Sequence, residues 1–405
     1  MAQDIFPDKS REQQRFAAFV VLSSIAVGLF YHLHLWTFDD NGFSIMSDRL
    51  PYWDFTNLWA GSRMALDGHV RDLFDVEAYR ANLRAMFSPL LPDQEWSYPP
   101  NIILIGAPLA LLPIFPAYIV WTAGTVALLH VALRPMKLPP LVHAAAVLSP
   151  SVFMNGIFGQ NGALTAALLI GGLLMAPKRP ILAGILFGLL TIKPHLGILI
   201  PFCLLASWNW RAIAAASVTA LLLAGATGFF LGFEVWPLFV ERTGPLMTAI
   251  MEAPYPQPYH ANAMTVFILA RSVGAGTGLA YGAQAAATLA AIAIVVWLWR
   301  PSNAIDHRRR VAITATLAIV ATPYGYTYDT IPMCVALAYL YATSAQPRLA
   351  LLGLAWMFPF AVHLLNFQGI GVGVLVPIAV AGWLAYGAVG SDLSERAKTV
   401  MLSSR

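Results

Sequence analysis

Phe16-Ala-Ala-Phe-Val-Val-Leu-Ser-Ser-Ile-Ala-Val-Gly-Leu-Phe-Tyr-His-Leu-His-Leu-Trp36 contains no aspartate, glutamate, lysine or arginine. A helix rises about 1.5 Å per residue and the hydrocarbon core of a bilayer is about 30 Å thick, so a run of this length can cross it. No small-residue cleavage signature follows, which favours a retained first span over a removed signal peptide. Residues 1–15 ahead of it are polar. Trp36 is the first of many tryptophans and tyrosines at the ends of apolar runs, where amphipathic rings sit at a membrane surface.

The same pattern extends along the chain. Of its 405 residues, 58% are hydrophobic and 11% are charged, with a mean hydropathy of +0.66. Soluble domains carry about 25% charged residues. The composition predicts an all-α polytopic membrane protein. The net charge is +4, but the basic residues fall in short clusters between apolar runs. That is how loops facing anionic lipid look, and it argues against nucleic acid and for membrane lipid as a partner. Cys203 and Cys334 lie inside apolar runs and read as packing residues. No HExxH, Walker loop or other metal-site spacing is present, so no metal or cofactor is expected.

Taking each apolar run as one crossing gives about twelve spans in a single domain over 16–390. A cytoplasmic N-terminus (1–15) then puts Arg134 and Lys137, Lys178 and Arg179, Arg211, Arg308–Arg310, Arg348, and Arg396 and Lys398 of the 391–405 tail on the cytoplasmic side. Two long loops, 37–100 and 233–262, fall on the opposite face. Residues 72–86 have amphipathic helical spacing that suits a helix lying on the membrane. Residues 181–207 are too few for two full crossings. Half-spans meeting at a buried polar turn are expected there, broken at Lys193-Pro194.

The topology gathers the polar groups that stand out. Asp54 lies among aromatics in Tyr52-Trp53-Asp54-Phe55, on the first loop. A carboxylate beside hydrocarbon is costly, so it is either a solvated loop residue or functional. Lys193 and His195 flank the helix break. Lys193 is either a point charge for a phosphate or a lysine reaching up to lipid headgroups. Gln160 and Asn161 lie in the turn Gly159-Gln-Asn-Gly162 and offer amides to a sugar or a phosphate oxygen, although glycine and asparagine also simply favour turns. Tyr326, Tyr328 and Asp329 place hydroxyls and a carboxylate at a span mouth. An interfacial aromatic belt accounts for the tyrosines but less easily for Asp329. His260, in the second loop, is a weaker candidate that plain solvation would also explain.

Read in order, the motifs look familiar. Trp53-Asp54-Phe55, Ala60-Gly61, Leu66-Asp67-Gly68, Leu73-Phe74-Asp75, Tyr98-Pro99-Pro100, Pro108-Leu-Ala-Leu-Leu-Pro113 and Trp121 are followed by Gly159-Gln-Asn-Gly162, Ala183-Gly184, Gly188-Leu189, Lys193-Pro194 and Tyr326-Thr-Tyr-Asp329. This order resembles glycosyltransferase family 87, over roughly residues 50 to 335. The resemblance implies a membrane enzyme of the GT-C class. Such enzymes move a sugar from a polyprenyl-phosphate carrier to a lipid or glycan acceptor outside the cytoplasmic membrane. The best-known members are mycobacterial mannosyltransferases acting on phosphatidylinositol mannosides. By that resemblance Asp54 matches the proposed general base and Lys193 sits where a donor-phosphate contact is expected. His195 beside it is a candidate for the same phosphate, and Tyr98, Gln160, Asn161, His260, Tyr326, Tyr328 and Asp329 are candidate substrate contacts.

The resemblance implies a hexosyltransferase in the inner membrane with its active site facing the periplasm. Two rival classes fit the hydropathy alone. One is a secondary transporter or a flippase for lipid-linked sugars, though transporters usually show repeats in their two halves and none is visible. The other is a non-catalytic partner subunit, in which Asp54 would be dispensable.

Overall fold

The computed structural model describes residues 6–386. The tail 391–405, with Arg396 and Lys398, and residues 1–5 lie outside the described residues. The described chain is all-helical, 73% helix, with no strand.

The first apolar run forms α1 (Arg11–Leu35), started by Ser10 and Gln13, which cap each other's backbone N–H groups. The first loop then folds into α2 (Trp53–Leu66) and α3 (Val76–Met86). Next come α4 (Ile103–Ala110), α5 (Ile114–Leu133), α6 (Pro140–Val147), α7 (Pro150–Phe158) and α8 (Gly162–Met175). After them run α9 (Pro180–Leu189), α10 (Ile200–Ala206) and α11 (Trp210–Leu231). The second loop carries α12 (Val235–Leu238) and α13 (Gly244–Glu252), and α14 (Val266–Ser272) follows it. The chain continues through α15 (Thr277–Trp299), α16 (His307–Val320), α17 (Ile331–Thr343), α18 (Leu349–Met357), α19 (Val362–Phe367) and α20 (Leu375–Tyr386).

Five helices are long and apolar enough to cross a membrane: Arg11–Leu35, Ile114–Met136, Pro140–Phe158, Trp210–Leu231 and Thr277–Trp299. Seven more apolar helices are shorter, at 10–17 residues. The expectation of about twelve spans counted each of these runs as a full crossing. Proline explains much of the shortening. Pro180, Pro194 and Pro332 each sit in the first turn of a helix, where the missing N–H is not needed but a preceding helix cannot run through.

Burial separates the helices into two groups. Nearly every residue of α8 and α17 is buried, as is α16 from Val311 onward, and these three form the middle of the bundle. Helices α1, α11 and α15 are as apolar but mostly exposed, as expected for helices that face lipid. Close backbone approach holds one pair of outer helices together. A Cβ at Gly184 of α9 would lie 2.5 Å from the Ala212 carbonyl of α11, and one at Gly188 would lie 2.4 Å from Thr219 Cβ. This is a small-xxx-small contact, which packs helices where burial from lipid offers little drive.

The amphipathic segment 72–86 departs from its expected setting. It forms a 3-10 turn and then α3, capped by the Asp75 side chain. Its apolar face, Leu73, Tyr79 and Leu83, is buried in the protein rather than laid on lipid. The reason is local. The Tyr79 hydroxyl reaches the Asn57 side chain on α2, and Arg80 pairs with Asp93 and Glu95, which ties the helix down onto the first loop.

Candidate active site

Four breaks in the helical pattern meet at one place. They are the start of α2, the α7–α8 turn, the interruption between α9 and α10, and the link between α16 and α17. Asp54 lies in the first turn of α2, where free backbone N–H groups and the helix dipole favour a carboxylate. Gly159 closes α7 in the left-handed region (φ 67°), which a glycine adopts without strain. That turn presents Gln160, whose Nε2 donates to Asp54 Oδ2 at 3.0 Å. The Trp121 indole N–H holds the turn through the carbonyls of Gly159 and Gln160.

The expected break at Lys193 is present, at φ −143° and ψ 70°, between two 3-10 turns. Lys193 is buried. Its ammonium donates to Asp329 Oδ1 at 2.6 Å and lies 5.0 Å from the Tyr328 ring centroid. Asp329 is fixed in turn by the Tyr326 backbone N–H. The end of the second loop and the residues after it are stitched to this segment: the Thr327 N–H donates to the Asn262 carbonyl at 2.9 Å and the Met264 N–H to the Gly325 carbonyl at 2.8 Å.

Asp54 makes no ion pair among the described residues, whereas Asp329 is committed to Lys193. Helix α2 is not one of the five span-length helices. Loss of solvent pushes the Asp54 carboxyl up to about 6; the Gln160 hydrogen bond and the charges of Arg49 and Lys193 act in the opposite direction. A carboxyl poised there is ionised at neutral pH yet basic enough to accept a proton. The phenols of Tyr98, Tyr259, Tyr326 and Tyr328 lie within electrostatic reach of it. Tyr326 and Tyr328 stack at 5.4 Å.

Most of the residues singled out in the sequence therefore converge: Asp54, Tyr98, Gln160, Lys193, Tyr326, Tyr328 and Asp329. Asn161 is buried beside Gln160, and both its side-chain polar atoms lack a hydrogen-bond partner. His195 lies 5.9 Å from the Tyr324 ring, and its Nε2 is likewise buried without a partner. His260 is placed differently. Its ring stacks on Tyr255 and its Nε2 meets the Ile250 carbonyl at 3.2 Å, so its contacts lie within the second loop.

Two neighbours of Asp54 escaped the sequence reading. The Arg49 guanidinium sits over the Trp53 ring at 4.9 Å and acts on the Asp54 carboxylate, with no ion pair among the described residues. A signal was there: Arg49 is the one lysine or arginine between Trp36 and Asp54. Tyr259 meets Tyr326 edge-on at 6.3 Å, one residue from the histidine that drew attention instead.

With this geometry in view, comparison with known families is decisive. The model of glycosyltransferase family 87 matches residues 96–323, more than half of the chain. The chain belongs to glycosyltransferase family 87. It is a membrane glycosyltransferase, which decides against the transporter reading. The family match covers Tyr98, Gln160, Asn161, Lys193, His195 and His260; Asp54, Tyr326, Tyr328 and Asp329 lie outside it. No curated protein and no solved structure gives a match. What places Asp54 beside the matched region is its hydrogen bond with Gln160.

Proposed function

We propose that this protein transfers a hexose from a polyprenyl-phosphate donor to a lipid or glycan acceptor, with inversion, at the extracytoplasmic face of the cytoplasmic membrane. Mannose is the first sugar to test. The observation that carries this reading is the setting of Asp54: an ion-pair-free carboxylate, held by Gln160 and acted on by both Arg49 and Lys193.

In the proposed reaction Asp54 takes the proton of an acceptor hydroxyl as its oxygen attacks the anomeric carbon. The new oxygen–carbon bond forms as the bond to the phosphate oxygen breaks, and the electron pair leaves with the polyprenyl phosphate. General-base help of this kind contributes about 10²–10⁴-fold. Arg49 and Lys193 balance the growing charge on the leaving group, so it needs no proton. Lys193 gives one of its three donors to Asp329, and two remain for a phosphate. Asp329 is tied to Lys193 and is not offered as a covalent nucleophile in this scheme. A single displacement follows, and the anomeric centre inverts. The sidedness rests on the basic loops, which the positive-inside rule places in the cytoplasm.

The test is Asp54→Asn in membranes supplied with radiolabelled polyprenyl-phosphate mannose, and with the glucose analogue in parallel. Transfer should fall at least about 100-fold while the variant remains folded. Wild-type transfer by a folded variant would overturn the assignment of the base.

A further inference from the structure

A cleft of about 370 Å³ opens between the first loop and the π-helix Phe239–Thr243. Its lining includes Tyr79, Glu95, Trp96, Glu241 and Arg242, and neither Asp54 nor Gln160. Its size lies within the range of about 300–1,000 Å³ typical of small-ligand sites. A π-helix is rare and often marks a functional site.

Trp96 points to a ligand there. The residue is 1% exposed and its indole Nε1 has no hydrogen-bond partner. The benzo edge of the ring packs on α2, where a Cβ at Gly61 would lie 2.2 Å from Trp96 Cζ3 and 2.6 Å from Cε3. Those atoms lie across the ring from the nitrogen, so the N–H is turned away from α2. A buried donor left unpaired costs about 1–3 kcal/mol, which an acceptor brought by a ligand would offset. Across the cleft, Glu241 and Arg242 make no ion pair among the described residues. Glu95 is paired with Arg80 and keeps part of its carboxylate exposed.

An unpartnered indole donor and four carboxylates, Asp75, Glu77, Glu95 and Glu241, suit a ligand rich in hydroxyls. Four carboxylates against the single Arg242 oppose a phosphate. We infer that this cleft binds a pyranose unit of the acceptor, away from the reacting hydroxyl; this rests on the glycosyl-transfer reading above. The path to the chemistry is short. Trp96 meets Tyr98 edge-on at 5.5 Å, and Tyr98 lies within electrostatic reach of Asp54. A sugar held in the cleft would orient its neighbour toward the base.

The test is saturation-transfer difference NMR on the purified full chain in detergent, with the methyl glycosides of mannose, glucose and galactose as probes. At least one glycoside should give a signal. It should fall at least fivefold in Trp96→Phe, which removes the N–H and keeps an aromatic ring, and in Glu241→Ala. Asp54→Asn should leave it unchanged. No signal from any of the three glycosides would overturn the inference, as would signals unaltered in both cleft variants or a signal abolished by Asp54→Asn. None of these results touches donor turnover, so failure here is separable from failure of the base assignment.

Discussion

The Gln160 amide reaches back 106 positions to donate to Asp54 at 3.0 Å. It draws together the start of a loop helix and the turn between two bundle helices. The bond favours the ionised carboxylate, against the loss of solvent that pushes its pKa up to about 6. Replacing Gln160 by leucine removes the bond and keeps the volume. The base must be ionised to work, so a higher pKa lowers the active fraction at a given pH. The acid limb of kcat/KM should therefore move upward from about 6 in Gln160→Leu. Activity should fall about three- to tenfold at pH 6.5 and recover by pH 8.5. A uniform loss at every pH, measured as a full pH–rate profile, would mean that Gln160 acts on the substrate instead.

The same perturbation has a stability consequence. Asp54 has a raised pKa in the folded protein, so folding favours its protonated form. The ionised group weakens the fold above about pH 6, and that cost disappears as pH falls below the ordinary carboxylate range. Asp54→Asn should thus be more stable than wild type at pH 7.5, by about 1–2 kcal/mol after allowing for partial exposure, or about 2–4 °C in Tm. The difference should shrink toward pH 4.5. Thermal melts in detergent at the two pH values give the answer, and an inactive but stabilised variant would mark the carboxylate as a group kept for chemistry.

The Lys193–Asp329 pair separates structure from catalysis. Removing either partner leaves a buried charge unpaired, at a cost of about 3–5 kcal/mol. Lys193→Met and Asp329→Leu should each lower Tm sharply, and the double variant should recover much of the loss. If Lys193 also holds the donor phosphate, transfer will stay low in the double variant, with the donor KM raised far more than the acceptor KM. Recovery of activity together with Tm would assign Lys193 to the fold alone.

How far the sequence reads ahead of the structure depends on the kind of signal. Length and apolarity are local, so the helical, membrane-spanning class was legible from runs such as 16–36. The break at Lys193 was legible because proline follows it. Crossing number was not, since a short apolar run reads alike whether it spans fully or stops halfway. The setting of α3 was equally hidden: its amphipathic pattern names a buried face but not what buries it, and the partners are Asn57, Asp93 and Glu95. Within the site, charges near proline, glycine or aromatic clusters stood out. Arg49 did not, because its role comes from a contact with Trp53 and the field at Asp54 rather than from spacing.

Gly162 tests whether the four breaks form one unit. It opens α8 beside Gln160, and a Cβ there would lie 2.0 Å from the Tyr328 carbonyl oxygen, a backbone atom that cannot rotate aside. Gly162→Ala must push α8 away from the 327–329 turn, parting Gln160 from the segment that holds Asp329 and the Tyr328 ring. Gly124 supplies the control. It lies on an exposed face of α5, with nothing within 4 Å of a new Cβ, and alanine is the better helix former by about 1 kcal/mol. Gly124→Ala should leave Tm and transfer unchanged or slightly improved. Gly162→Ala should cost about 2–4 kcal/mol and at least tenfold in kcat. Equal behaviour of the two variants, in paired melts and transfer assays, would show that α8 and the Tyr328 turn are free to separate without disturbing the chemistry.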